Sequence, residues 1–229
     1  MRRKSLKYRA SRKQRLGAQT WDMPVIHGLF RQALHRAVPL VEQADSKDAE
    51  RINHVSNHVE KLMTQLLNHH QHEDDSLWLR LKQRIPEHTA DIRRMELHHE
   101  MIKDDITLLR SLIHAWRDHP NEKDLLVETL HEFEHHVIMH LDDEERTIQP
   151  LAERYIKPIE WEAMRKRGLR EIPPGERMVW LGELLQGAPT AEAREKLIQD
   201  LPVPVRLMYR AFGKKQFEKA WHDLYGPIL

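Results

Sequence analysis

The chain has 229 residues, with 37 Lys and Arg, 36 Asp and Glu, 17 His and no Cys. The absence of cysteine excludes disulfides, thiolate metal sites and thiol nucleophiles, so any bound metal must be held by nitrogen and oxygen. Only 8 Gly and 6% aromatic residues accompany 32% charged residues, which favours helices over sandwiches and barrels. The histidine content is roughly three times the average, and sixteen of the histidines lie between His27 and His140.

The termini and the hydropathy predict a cytoplasmic protein that does not span a membrane. No apolar run approaches the roughly 18 residues of a membrane helix, and no apolar stretch of a signal peptide follows the basic start. Residues 2–15 carry eight Lys and Arg and no acid. This pattern is typical of contact with nucleic acid or an anionic surface, or of a solubilising terminus. We favour the second reading, and we expect residues 1–16 to form a basic tail without a nucleic-acid partner.

Four segments show the period of about 3.6 residues that is typical of amphipathic helices. They cover residues 22–44, 48–84, 87–117 and 122–149. Long helices joined by short polar turns pack side by side in alternating directions. The sequence therefore predicts an all-α fold with an antiparallel up-down four-helix bundle over residues 17–157.

Residues 158–229 differ from the bundle segment because prolines and glycines divide them into short pieces. The clearest helical pieces are residues 190–200 and 205–224. We expect this C-terminal extension to lie against the bundle. Its aromatic residues would either shape a substrate pocket or bury themselves as structural cover, and we favour cover.

The second and fourth predicted helices each place a carboxylate in the middle of an apolar face. At about 100° per residue, Glu73 lies about 40° from His69, and the apolar residues lie about 20° to 80° from that histidine. Glu144 has the same relation to His140. An isolated charged carboxylate in a core is strongly destabilising. Because neither face contains a Lys or Arg, these carboxylates are expected to bind a cation.

The first and third predicted helices place His27 and His99 inside their own apolar faces. His27 precedes His69 by 42 residues and His99 precedes His140 by 41, so the two helical hairpins form an internal repeat. Four imidazoles and two carboxylates that converge predict a site for two first-row metal ions, each with two His and with both Glu bridging. Iron is favoured because its redox chemistry suits open positions in a dry core, while manganese and zinc remain alternatives.

Other acidic and histidine residues in these segments have alternative readings. A ferritin-like site uses Glu-x-x-His on two helices, and Glu96 to His99, Glu128 to His131 and Glu132 to His135 match those letters. We disfavour this site because His131 and His135 face away from the apolar stripe. Further residues are expected on solvated faces or at helix ends: Asp74, Asp142, Asp143, Glu145, His58 and His72.

The constellation resembles the hemerythrin family, specifically proteins with the HHE cation-binding domain. The resemblance spans about residues 20–155 and rests on the elements His27, His69 with Glu73, Met95-x-x-His98-His99, and His140 with Glu144-Glu145. It implies that four histidines bind iron, that two glutamates bridge the irons, and that an oxo or hydroxo group completes the bridge. The implied ligands are His27, His69, Glu73, His99, His140 and Glu144.

The resemblance also implies a function, with one departure from the family pattern. Reversible dioxygen carriers have a further histidine one turn after the third-helix ligand, where this chain has Lys103. His70 and His136 are the candidate replacements. A more open site favours binding and activation of dioxygen or peroxide, as in an oxidoreductase with a small-molecule substrate. The alternative is an iron or oxygen sensor, storage or scavenging protein without an organic substrate.

Overall fold

The computed structural model describes residues 17–226, and the all-α prediction is confirmed because no strand occurs among them. The basic tail 1–16 lies outside the described residues. Within the described part, no helix combines the length and apolar character needed to cross a membrane. In chain order the helices are α1 (Met23–Glu42), α2 (Ala49–His72), α3 (Leu79–Arg84), α4 (Thr89–Asp118), α5 (Asp124–Thr147), α6 (Gln149–Tyr155), α7 (Pro158–Glu171), α8 (Arg177–Gly187), α9 (Ala191–Asp200), α10 (Val203–Met208) and α11 (Lys214–Tyr225).

Local sequence signals explain some of the helix ends. The Asp48 carboxylate accepts a hydrogen bond from the Arg51 backbone N–H at 2.8 Å and so caps the start of α2. The fourth predicted helical segment ends at residue 149, but Pro150 lies in the first turn of α6. Proline is tolerated in a first turn because its missing N–H has no helical partner there. The chain therefore continues in helical form after α5.

The four long helices α1, α2, α4 and α5 contact one another in a closed ring, in which α1 and α4 each touch both α2 and α5. Between α4 and α5 the contacts run in opposite sequence order. Arg94, early in α4, donates to Asp143, late in α5, at 2.7 Å. Asp105, further along α4, lies 2.7 Å from His136, earlier in α5. The apolar faces of all four helices meet inside this ring.

One feature of the second helical segment was not predicted. Residues Glu73–Trp78 form a π-helical turn between α2 and α3, so the expected continuous α-helix over 48–84 is wrong in this turn. On an uninterrupted α-helix, Trp78 and Leu81 would lie about 180° and 120° from His69, away from the core. Both are buried, at 1% and 0% exposure, because a π turn rotates less per residue. The turn keeps Glu73 and these apolar residues on one side.

The C-terminal extension packs against the long helices through α7 and α8. α8 approaches α1 at two glycines, since a Cβ on Gly28 would lie 2.1 Å from the Gly187 carbonyl oxygen. Just before the start of α1, the buried Asp22 carboxylate accepts a hydrogen bond at 2.9 Å from the indole N–H of Trp161 in α7. Asp22 directly precedes α1, but its side chain makes no capping hydrogen bond. Helix α7 begins at Pro158, and the division into domains at this residue stays a prediction.

Candidate metal centre

The structure brings the six predicted ligands together between α1, α2, α4 and α5. They form two histidine pairs. In the first pair, Nε2 of His27 lies 3.4 Å from Nε2 of His69. In the second pair, Nε2 of His99 lies 3.3 Å from Nε2 of His140. Three of the six are fully buried (His27, His140 and Glu144), Glu73 is 3% exposed, His99 is 6% exposed, and the His69 side chain is 17% exposed.

Each of the two glutamates faces both histidine pairs. Glu73 places Oε1 at 3.3 Å from Nε2 of His69 and Oε2 at 3.6 Å from Nε2 of His99. Glu144 places Oε2 at 3.4 Å from Nε2 of His27 and 3.7 Å from Nε2 of His140. Carboxylates in these positions can join two cations, one beside each histidine pair.

The donor atoms fall into two sets, and within each set they lie within 4.8 Å of one another. The first donor set contains the first histidine pair with Glu73 and Glu144. The second donor set contains the second histidine pair with Glu73 and His70. Among the two candidate replacements, His136 is in neither set, because its Nδ1 lies 2.7 Å from Asp105 Oδ2. The two sets share Glu73.

The donor sets fit metal ions because several of their buried polar atoms form no hydrogen bond with the described residues. Within residues 17–226, several buried atoms lack a hydrogen-bond partner: both oxygens of Glu144, Oε2 of Glu73 and both ring nitrogens of His70. Among the described residues, no Lys or Arg forms an ion pair with either glutamate. Buried polar atoms in native proteins are nearly always paired, and oxygen with imidazole nitrogen is a donor set for first-row metals. A cation in each set would provide a partner for Glu73, for Glu144 and for one ring nitrogen of His70.

The family model of the hemerythrin HHE cation-binding domain matches residues 22–152, more than half of the chain. The chain belongs to this hemerythrin family. No curated protein and no solved structure gives a significant match. The family resemblance inferred from the sequence is thereby confirmed, and the matched range contains every residue of both donor sets. The protein is a cation-binding one of the hemerythrin HHE type.

Burial in this hemerythrin domain favours the neutral form of three histidines of the centre. Burial lowers the pKa of His69, His70 and His140 well below 6.5, and the neighbouring imidazoles add to the effect. Burial also raises the pKa of Glu73 well above 4.5, with a contribution from Glu144, whose own pKa is raised by burial. Neutral imidazole is the form that donates a lone pair to a metal ion. A cation would allow the two carboxyls to ionise.

Two outer carboxylates lie within hydrogen-bond distance of predicted ligand histidines in the hemerythrin domain. Glu145 Oε1 lies 2.9 Å from Nδ1 of His27, and Asp74 Oδ1 lies 2.8 Å from Nδ1 of His99. When Nδ1–H donates to the carboxylate, Nε2 keeps its lone pair free and faces the donor set. Arg31 donates to the same Glu145 oxygen at 2.8 Å.

Several residues expected on solvated faces have specific roles instead. Glu145 and Asp74 hold histidines, and Asp143 is buried at 7% exposure beside Arg94. The sequence signal that could have identified Asp74 and Glu145 is the internal repeat. An acid directly follows each predicted bridging glutamate, in Glu73-Asp74 and in Glu144-Glu145. On a helix the next residue points about 100° away, and here that direction leads to the histidine of a neighbouring helix.

Two histidines of the ferritin-like alternative lie at the surface, whereas one histidine that was expected at the surface is buried. His131 and His135 are exposed, as expected, so they do not approach the donor sets of the hemerythrin domain. His72 was expected at the surface, but it is buried at 8% exposure and lies 2.7 Å from Glu171 of α7. The extension therefore contacts α2 one residue before Glu73.

Proposed function

We propose that this hemerythrin-family protein holds two iron ions within an antiparallel up-down bundle of α1, α2, α4 and α5, and binds and activates dioxygen or peroxide. The observation that carries the proposal is the pair of nitrogen and oxygen donor sets that share Glu73. Iron is proposed over manganese and zinc because it combines affinity for imidazole and carboxylate with redox chemistry. When bound, the iron ions would supply the electrons for reduction of dioxygen or peroxide.

The protein's own side chains contribute binding, orientation and exclusion of water. Neutral imidazoles donate their Nε2 lone pairs, and Glu73 and Glu144 neutralise positive charge. The outer carboxylates keep the Nδ1 protons of two ligand rings in place. Apolar rings flank the centre, with Phe30 centred 5.5 Å from the His69 ring and Trp78 centred 5.8 Å from the His99 ring. The partly exposed His69 is the ligand nearest to solvent, which suits entry of a small molecule at that side.

An oxidoreductase activity on a small organic substrate is part of this proposal, and the proposed location is the cytoplasm. The second candidate is an iron or oxygen sensor, storage or scavenging protein. The unpaired buried carboxylates favour it, because metal binding would then strongly change the stability of the helices. His72 with Glu171, beside Glu73, would pass such a change to the extension.

The first test is metal analysis of the purified protein together with its visible spectrum. We expect about two iron ions per chain and the charge-transfer bands of ferric iron with oxygen and nitrogen ligands. No iron, or a single zinc ion, would overturn the proposal. The variant His140→Ala should lose metal, whereas His136→Ala on the same helix should keep it.

A second test separates the two candidate functions. Reduced, iron-loaded protein is mixed with dioxygen or with peroxide in the presence of an excess chemical reductant such as ascorbate, and consumption beyond that of a protein-free control is followed over many equivalents. Continued consumption supports activation. A single stoichiometric oxidation, together with a changed protease sensitivity of the extension, supports a sensor. Repeated release of unaltered dioxygen would contradict activation.

A further inference from the structure

The internal repeat between α2 and α5 is broken at one position that faces the metal centre. His69-x-x-x-Glu73 corresponds to His140-x-x-x-Glu144, but the residue after the histidine is His70 in α2 and Leu141 in α5. Both are buried, at 3% and 0% exposure. One half of the repeat therefore adds two polar ring nitrogens where the other half has a hydrocarbon side chain.

The His70 ring lies directly against the second histidine pair. It stacks on His99 with ring centroids 4.1 Å apart and an interplanar angle of 7°. It also contacts His140 edge to face, with centroids 4.8 Å apart. One of its nitrogens lies within 4.8 Å of donor atoms of Glu73, His99 and His140. The ring is thus already at the second donor set.

Among the residues that the structure describes, neither ring nitrogen of His70 has a hydrogen-bond partner, although both nitrogens are buried. A neutral imidazole has one donor and one acceptor nitrogen, and leaving both unpaired in a core is unfavourable. If this side chain only filled space in the core, an apolar residue such as Leu141 at the matching position would do so without burying unpaired polar atoms. A ring that stacks on a ligand histidine with unused nitrogens fits a residue that itself binds the metal.

The helical geometry explains how adjacent residues can serve different ions. On α2, Glu73 lies about 40° from His69 and about 60° from His70, so the carboxylate is between the two rings. His69 belongs to the first donor set and His70 to the second, while Glu73 belongs to both. The other candidate replacement, His136, is held by Asp105 at 2.7 Å.

We propose that His70 is a metal ligand in the second donor set and replaces the histidine that the family pattern places at Lys103. Helix α2 then provides one imidazole to each ion and the carboxylate between them. The second ion has three imidazoles and the first has two. This inference rests on the proposed two-metal centre, and its tests separate the two ideas.

The first measurement uses the wild-type protein, so it does not depend on the folding of a variant. X-ray absorption of the iron-loaded chain reports the average number of imidazoles per ion. Five imidazoles shared by two ions support the inference, and four overturn it while leaving the two-metal centre intact. A wild-type protein that does not hold two ions contradicts the proposed function instead.

The second measurement compares His70→Leu, which introduces the residue of the matching position in α5, with the control His136→Leu. Both iron-loaded variants are dialysed against increasing chelator, and iron per chain and helical circular dichroism are recorded. We expect His70→Leu to release one ion at a chelator concentration at least about tenfold lower than wild type, because even outer-shell changes cost that much affinity. His136→Leu should follow wild type. A His70→Leu release curve that matches wild type would overturn the inference.

Discussion

The variant Glu144→Leu should stabilise the metal-free protein but remove most of the stabilisation that bound metal provides. Glu144 is fully buried, and among the described residues neither of its oxygens has a hydrogen-bond partner. Leucine removes these unpaired atoms and provides an apolar side chain of similar size. Replacement of buried ionic groups by well-packed hydrophobic residues is often neutral or stabilising by about 1 to 4 kcal/mol, and we expect a gain of that order here. For a chain of this length, this raises the Tm of the metal-free protein by about 5 °C.

The same substitution should have the opposite effect in the presence of iron. A metal ion at a thousandfold excess over its Kd stabilises the folded protein by about 4 kcal/mol, provided that it does not bind the unfolded chain. This corresponds to a rise in Tm of roughly 10 °C for wild type. Without the Glu144 carboxylate, which faces both histidine pairs, most of that rise should disappear. The variant is thus more stable than wild type without iron and less stable with it.

Thermal melts followed by circular dichroism, with and without iron, measure both effects. The control is Glu132→Leu, an exposed position on the same helix, which should change stability by no more than about 0.5 kcal/mol in either state. A Glu144→Leu variant with a lower Tm than wild type in the metal-free state and with the full rise in Tm on addition of iron would contradict both expectations.

Three further predictions concern other parts of the structure. Asp74→Asn weakens the orientation of His99, so iron affinity should fall about 10- to 100-fold in chelator competition, with an unchanged metal-free Tm; equal affinity would contradict the orienting role. Gly187→Ala places a Cβ at 2.6 Å from the backbone of Leu29, which should destabilise the protein by about 1 to 3 kcal/mol in denaturant titrations without altering iron content. Burial raises the pKa of Glu183 from 4.5 to about 7, so the folded protein binds this proton more tightly than the unfolded chain, and stability should fall as the pH rises through that interval. The substitution Glu183→Gln should reduce the pH-dependent loss in the free energy of unfolding by roughly 1 to 3 kcal/mol, after allowance for partial solvent exposure. Parallel pH profiles of wild type and variant that coincide would exclude Glu183 as their cause.

The helices and the principal site residues could be predicted because both depend on periodicity along one helix. A carboxylate about 40° from a histidine on an apolar face is a local property. It identified His69 with Glu73, and His140 with Glu144, before any contact was known. The repeat of this pattern, with His27 and His99 at matching separations, indicated that the two hairpins share one centre.

The π-helical turn after Glu73 could not be predicted in this way. Its cause is the burial of Trp78 and Leu81, and that burial depends on what α2 and α3 pack against. A change of about 100° in the direction of these side chains is available to the chain at low local cost. Only packing against the neighbouring helices selects it.

The sequence by itself determined the helical class, the family and the six residues of the predicted centre, because each helix encodes its own buried face. The tertiary structure places His70 at a donor set and His136 against Asp105, and it brings Asp74 and Glu145 to predicted ligand histidines. These outcomes depend on distances between different helices, which helical periodicity does not contain. His70 and His136 lie about 20° and 60° beyond the edges of their own apolar faces, and the neighbouring rings and Asp105 fix which of them lies at a donor set.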